Sequence, residues 1–187
     1  RQRIQNLGFF QSVSVERMPG SSPDKSVVKV NVEEQSTGQL SFGAGFSSTN
    51  GILGDISITE RNFLGKGQTV ALSLTVAALK SEVDFSFTEP YFMGREIRAG
   101  FDLFRVSQDL QDSSSFDTDR TGFGLRGGYL ITESLRQDWR YGFQLSKVSD
   151  VSSFASQLIR NEIGTETTSE ISHILTYDKR DSPLLPT

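Results

Sequence analysis

Cysteine is absent from the 187 residues. That excludes disulfide staples and thiolate metal sites without naming a compartment. There is one histidine, His173, and no obvious carboxylate cluster stands around it. A metal site or a Ser-His-Asp constellation is therefore not expected, and no cofactor or enzymatic reading gains support. The formal net charge is −4, with no dense basic tract, so nucleic acid is not a partner the charge favours. No apolar run approaches the ~18 residues a membrane helix needs. That absence does not bear on strands, where apolar residues occupy only every second position when one face meets lipid. The chain begins inside a helical pattern, without Met or a leader-like segment. An excised or mature fragment is the expectation.

What is present is alternation. Arg1–Phe10, "RQRIQNLGFF", reads as the last turns of a helix, with Ile4 and Leu7 on one face and Gly8 at its end. Two short alternating runs follow, Ser12–Arg17 and Ser26–Glu33, separated by "MPGSSPDK". Helix, strand, loop, strand is the tail of a small α+β module over residues 1–35, and "EEQSTG" reads as a linker.

From Gly38 onward the period is two. Leu40, Phe42, Ala44 and Phe46 alternate with Gln39, Ser41, Gly43 and Gly45. Val70, Leu72, Leu74 and Val76 alternate with Thr69, Ala71, Ser73 and Thr75, and the pattern continues through Tyr177. Residues 36–187 thus hold about eight strands of membrane-spanning length. A soluble β-sandwich also alternates. Two features favour a transmembrane antiparallel up-and-down β-barrel. Short turns near Asn62–Gly67, Tyr91–Arg95 and Thr132–Asp138 alternate with connections that include the polar stretches Val106–Arg120 and Ser149–Thr165. Further, Tyr91, Tyr129, Tyr141, Tyr177 and Trp139 all fall on the short-turn side, joined by Phe63 and Phe92. Such rings favour a membrane–water boundary, which predicts an aromatic girdle at one rim. Gly65 and Gly94 allow the tight corners in "NFLGKGQ" and "YFMGREI".

Several motifs carry a chemical reading that fails on context. "GFGLRG" at Gly122–Gly127 matches a dinucleotide fingerprint, but it sits inside an alternating strand, where glycines are expected to fill lumen-facing positions. Arg98, Asp102, Arg126, Arg140 and Gln144 should face the lumen, as should Arg61 with Thr59 and Asp55. Asp178, Arg180 and Asp181 form a cluster ahead of Pro183 and Pro186 that either makes charge pairs, holding the barrel rim or facing the preceding α+β module, or is a solvated turn. Gly38, Gly43, Gly45 and Gly51 crowd the first barrel strand and its loop. In a closed barrel they mark either a weak seam or a bend.

"ITERNFLGKGQ", "FTEPYFMG" and "YDKRDSPLLPT" resemble the first half of the barrel in the BamA family of outer-membrane β-barrel assembly proteins, and "RIQNLGFF" resembles the end of its last POTRA domain. That family's barrel has sixteen strands, so about eight here make half. The resemblance implies location in the bacterial outer membrane of Gram-negative cells, with the POTRA part in the periplasm. It implies client β-barrels, assembly-machinery lipoproteins, periplasmic chaperones and outer-membrane lipid as partners. It also implies that clients are built by strand addition at the seam, carried by Gly38, Leu40, Phe42, Gly43, Gly45 and Phe46. Related pores, of the two-partner secretion or TamA type, share the architecture and leave a translocating or solute pore as the alternative.

Overall fold

The computed structural model describes residues 2–5, 7–22 and 24–179. Arg180, Asp181 and "SPLLPT" lie outside the described residues. The chain opens with α1 (Gln2–Gln5), and Gly8 follows in the left-handed region at φ 71°, as its lack of a Cβ permits. β1 (Phe10–Pro19) and β2 (Ser26–Glu34) then pair antiparallel as a two-stranded sheet. Both run slightly beyond the limits their alternation predicted. α1 packs on β1, and Val13 is buried.

The rest is one eight-stranded sheet. Its strands are β3 (Gly38–Ser47), β4 (Gly51–Phe63), β5 (Gln68–Ala77), β6 (Lys80–Glu89), β7 (Ile97–Asp109), β8 (Asp117–Thr132), β9 (Leu135–Ser149) and β10 (Gly164–Tyr177). Each pairs antiparallel with its sequence neighbour, from β3 at one edge to β10 at the other. Period-two alternation sorts every strand into two faces. The register aligns the apolar one: Leu40, Ile58, Leu72, Phe85, Leu103, Phe123 and Phe143 stand side by side across seven strands. Rings reinforce it, with Phe87 5.6 Å from Phe101 and Phe123 stacked on Phe143 at 5.5 Å.

This apolar face has no second layer. Phe42 is 72% exposed and Phe46 78%, and the only buried apolar residues among those described are Val13, Val106 and Ala155. A sandwich would close such a face against a partner sheet. A bare face of this extent belongs against lipid, so the sheet is the wall of an up-and-down barrel.

The connections differ from the expectation in one respect. β7 and β8 continue through Gln108 and Asp117, so the polar stretch predicted as a long loop shrinks to residues 110–116, which hold α2 (Gln111–Ser114). The connection from β6 to β7, residues 90–96, is no shorter. Only residues 150–163, with α3 (Gln157–Asn161), form a long loop. Ser107, Asp109, Asp117 and Asp119 are polar on the outward face, yet their backbones stay in the ladder. The strands pair beyond the point where the apolar band stops.

Candidate functional site

The inner face is polar and carries paired charges. Arg98, Asp102, Arg126, Arg140 and Gln144 all lie on it, opposite the apolar row. Arg126 lies 2.8 Å from Asp102, and it also donates to the Thr88 hydroxyl at 3.2 Å. Asp138 takes two guanidinium groups, Arg98 at 3.0 Å and Arg136 at 2.8 Å. All are partly exposed, so each pair stabilises the fold by about 1 kcal/mol or less.

Glycines on this face make room for those side chains. A Cβ at Gly43 would collide with the Asp55 carboxylate, and one at Gly128 with that of Asp138. At Gly100 it would meet the Phe87 carbonyl at 2.6 Å and the Arg126 guanidinium at 3.2 Å. Gly124 faces Asp102 at 3.4 Å. Charged groups thus lie flat on the sheet where a neighbouring strand offers no side chain. Gly122 and Gly124 of "GFGLRG" follow the expected inward placement. Gly127 does not. It sits on the apolar face, between Ala99 and Trp139, because Leu125 and Gly127 share one side of the strand. Arg61 follows a register irregularity between Glu60 and Phe63, so simple alternation no longer assigns its face.

Like β10 on the other side, β3 is one of the two edge strands of the sheet. It pairs with β4 over its full length, from Gly38 with Glu60 to Ser47 with Gly51, and with nothing on the other edge among the described residues. Gly38, Leu40, Phe42 and Phe46 face outward, while Gly43 and Gly45 face in. Its backbone donors and acceptors along the free edge are therefore available to another strand.

Two turns at the opposite end from the long loop repeat one design. Gly65 donates to the Asn62 carbonyl at 2.9 Å and Gly94 to that of Tyr91 at 3.0 Å. Lys66 and Arg95 close the next bonds, to Phe63 and Phe92, both at 3.2 Å. Leu64 and Met93, at φ 55° and 54°, adopt the left-handed region despite their side chains, each just before a glycine at φ 70° or 71°. Sequence reasoning found the glycines and missed the two residues before them. Each turn is held by a glutamate. Glu60 accepts from the Thr37 hydroxyl and from the Asn62 amide at 2.8 Å. Glu89 accepts from Gln68 Nε2 at 2.7 Å and from the Tyr91 amide at 2.8 Å.

This architecture has relatives. An Omp85 superfamily domain model matches residues 62–187, more than half of the chain. The chain belongs to the Omp85 superfamily. Among curated relatives, the outer membrane protein assembly factor BamA of Neorickettsia risticii is 27% identical over the whole chain and 25% of its own length. That of Neisseria meningitidis serogroup B is 28% identical over 71% of the chain and 17% of its length. This Omp85 chain thus spans a quarter or less of the length of these two relatives. In structure, BamA from Haemophilus ducreyi lacking POTRA domains 1–3 aligns over 99% of the chain and 38% of its own, with TM-score 0.73 and 21% identity. CdiB from Escherichia coli aligns over 90% and 34%, with TM-score 0.55 and 13% identity. The resemblance to the BamA family stands, and the fold is that of part of its barrel.

The predicted ring positions spread into a band in this Omp85 wall. Phe63 ends β4, Tyr91 and Phe92 lie in the 90–96 turn, Tyr177 ends β10, and Tyr129 is near the end of β8. Trp139 and Tyr141 stand four and six positions beyond Leu135, the start of β9. The Tyr141 hydroxyl accepts from Ser169 at 3.1 Å, so a neighbouring strand satisfies its tip. Trp139 stacks on His173 at 4.2 Å, a partner that His173's isolation in sequence did not reveal. At the rim, the Asp178 amide donates to the Ser134 carbonyl at 2.8 Å, and Lys179 lies over the Tyr177 ring at 5.6 Å.

Proposed function

We propose that the chain is part of an outer-membrane protein assembly factor that folds and inserts client β-barrel proteins, with β3 as the strand where the wall opens. On this reading residues 1–35 end the last POTRA domain in the periplasm, and residues 36–187 are the N-terminal half of the barrel in the bacterial outer membrane. Client barrels, assembly lipoproteins, periplasmic chaperones and outer-membrane lipid are its partners, and the work is done without a catalytic group. Phe63, Tyr91, Phe92, Tyr129, Trp139, Tyr141 and Tyr177 form the girdle, and Gly65 and Gly94 the periplasmic turns. Asp178 belongs to the rim, where its amide meets the Ser134 carbonyl.

The observation that carries this is the unpaired edge of β3, a feature it shares with β10, together with the glycines Gly38, Gly43 and Gly45 that only β3 concentrates along such an edge. An unpaired amide or carbonyl in hydrocarbon costs several kcal/mol, so this edge demands a strand. It receives either the barrel's closing strand or a client strand, through backbone bonds rather than side-chain chemistry. The names of the curated relatives support the same role. To test it, Ser41 in the intact protein is replaced by cysteine and joined by a disulfide to the strand that closes against β3. Oxidation should stop client insertion and reduction should restore it. Insertion at the normal rate with the disulfide formed sinks the proposal.

The charged inner face favours a second reading, a translocating or solute pore, which also fits the likeness to CdiB in fold. Ion conductance of the complete barrel separates them. A pore conducts steadily, and a plugged assembly factor conducts little.

A further inference from the structure

The outward face changes character along β7–β10. Away from the Gly94 turn, the outward positions after Leu103, Phe123 and Phe143 are Arg105, Thr121 and Leu145, with Thr167 beside them on β10. The row beyond holds Ser107, Asp119, Lys147 and Thr165. Asp109 and Asp117 face each other one row further on. The order is thus an apolar band, then two cations around one carboxylate, then two more carboxylates. The same end of β3–β6 closes its outward face without charge, with Phe46 opposite Ile52 and Val76 opposite Ser81.

These charges are unequally satisfied. All three carboxylates have partners. Asp119 accepts from the Ser107 hydroxyl at 2.7 Å, Asp109 from the Gln111 amide at 2.9 Å and Asp117 from Gln111 Nε2 at 2.9 Å. The cations are freer. Arg105 lies 4.0 Å from Asp119, beyond hydrogen-bond reach, and Lys147 makes no ion pair or side-chain hydrogen bond among the described residues. Both are exposed, and Arg105 stands directly beside Val83, at the margin of the apolar band. A cation on a long stem at that margin lifts its charge out of hydrocarbon to the level where lipid phosphates lie. A guanidinium meets phosphate in two parallel bonds, and an ammonium meets it as a point charge.

We propose that Arg105 and Lys147 bind the phosphate headgroups of lipids in the leaflet farther from the Gly65 and Gly94 turns, with Thr121, Thr165 and Thr167 as further donors. The two cations stand two strands apart, about 10 Å across the sheet, which leaves room for a headgroup at each. The bare apolar rows below them take the acyl chains of the same molecules. A free phosphate ion would use only the charged margin of this surface. The inference rests on the outward face meeting lipid and is independent of client insertion.

The test places the intact protein in phosphatidylcholine vesicles doped with phosphatidylglycerol that carries a diazirine beside its phosphate. Illumination should label residues 103–107 and 145–149, mapped by mass spectrometry, about fivefold more than a phosphatidylcholine probe with the same diazirine. At equal levels of folded barrel, Arg105→Gln combined with Lys147→Gln should abolish that preference. Arg105→Lys should keep most of it, and Lys66→Gln, at the opposite rim, should leave it unchanged. Three results overturn the proposal: equal or no labelling by the two probes, a preference that survives the double substitution, or loss of the label when inorganic phosphate replaces chloride at constant ionic strength, the mark of a free-ion site. Client assembly, scored in parallel, reports on the assembly role separately.

Discussion

Glu60 and Glu89 do the same work in two hairpins: each carboxylate accepts the amide two residues on, at 2.8 Å, and a side chain at the start of the preceding strand. Glu60 reaches back to Thr37, just before β3, and Glu89 to Gln68, where β5 begins. Each glutamate thereby fixes the turn it precedes and the strand end it faces. "TERNFLGK" and "TEPYFMGR" are one corner used twice.

Removing a clasp should loosen its hairpin. Glu89→Ala leaves the Tyr91 amide and Gln68 without their acceptor, at a cost of about 1–2 kcal/mol. Glu89→Gln keeps an acceptor oxygen and should recover about half of that. Urea unfolding of the intact barrel in vesicles measures both, and equal midpoints for the two variants would refute the clasp.

The left-handed residues point the other way. Leu64 and Met93 hold a conformation that costs a residue with a Cβ about 1 kcal/mol. Leu64→Gly and Met93→Gly should therefore raise the unfolding midpoint or leave it unchanged, unlike glycine in a strand interior. A clear loss would show that the exposed side chains, not the backbone, hold these corners.

Glycines on the inner face should divide by what covers them. At Gly128 a methyl group collides with Asp138, which two arginines hold in place. Gly128→Ala should cost about 1–3 kcal/mol. Gly142→Ala enters open space and should stay within about 0.5 kcal/mol of the parent. The same unfolding assay compares them, and similar losses at both positions would remove the cradle argument.

The sheet was legible in sequence wherever one face is apolar. Val70, Leu72, Leu74 and Val76 announce β5 because lipid-facing positions tolerate little else. The far ends of β7 and β8 were not, since Ser107, Asp109, Asp117 and Asp119 have left the apolar band and only the hydrogen-bond ladder keeps them in strand. The strained corners escaped because Leu64 and Met93 carry no residue-type signal for positive φ, whereas Gly65 and Gly94 do. The inner face was read by parity alone. Which glycine shelters which carboxylate depends on register across strands, as at Gly43 with Asp55, and register is not a local property. Gly127 was misplaced for a related reason: a six-residue motif with glycines at both odd and even positions must put some on each side.

Every ladder in the wall joins strands that are consecutive in the chain. Such a topology has few distant contacts to search for, and loop closure between neighbours is entropically mild. The wall can therefore grow hairpin by hairpin and be peeled from an edge one ladder at a time, with no central nucleus whose loss would collapse the remainder.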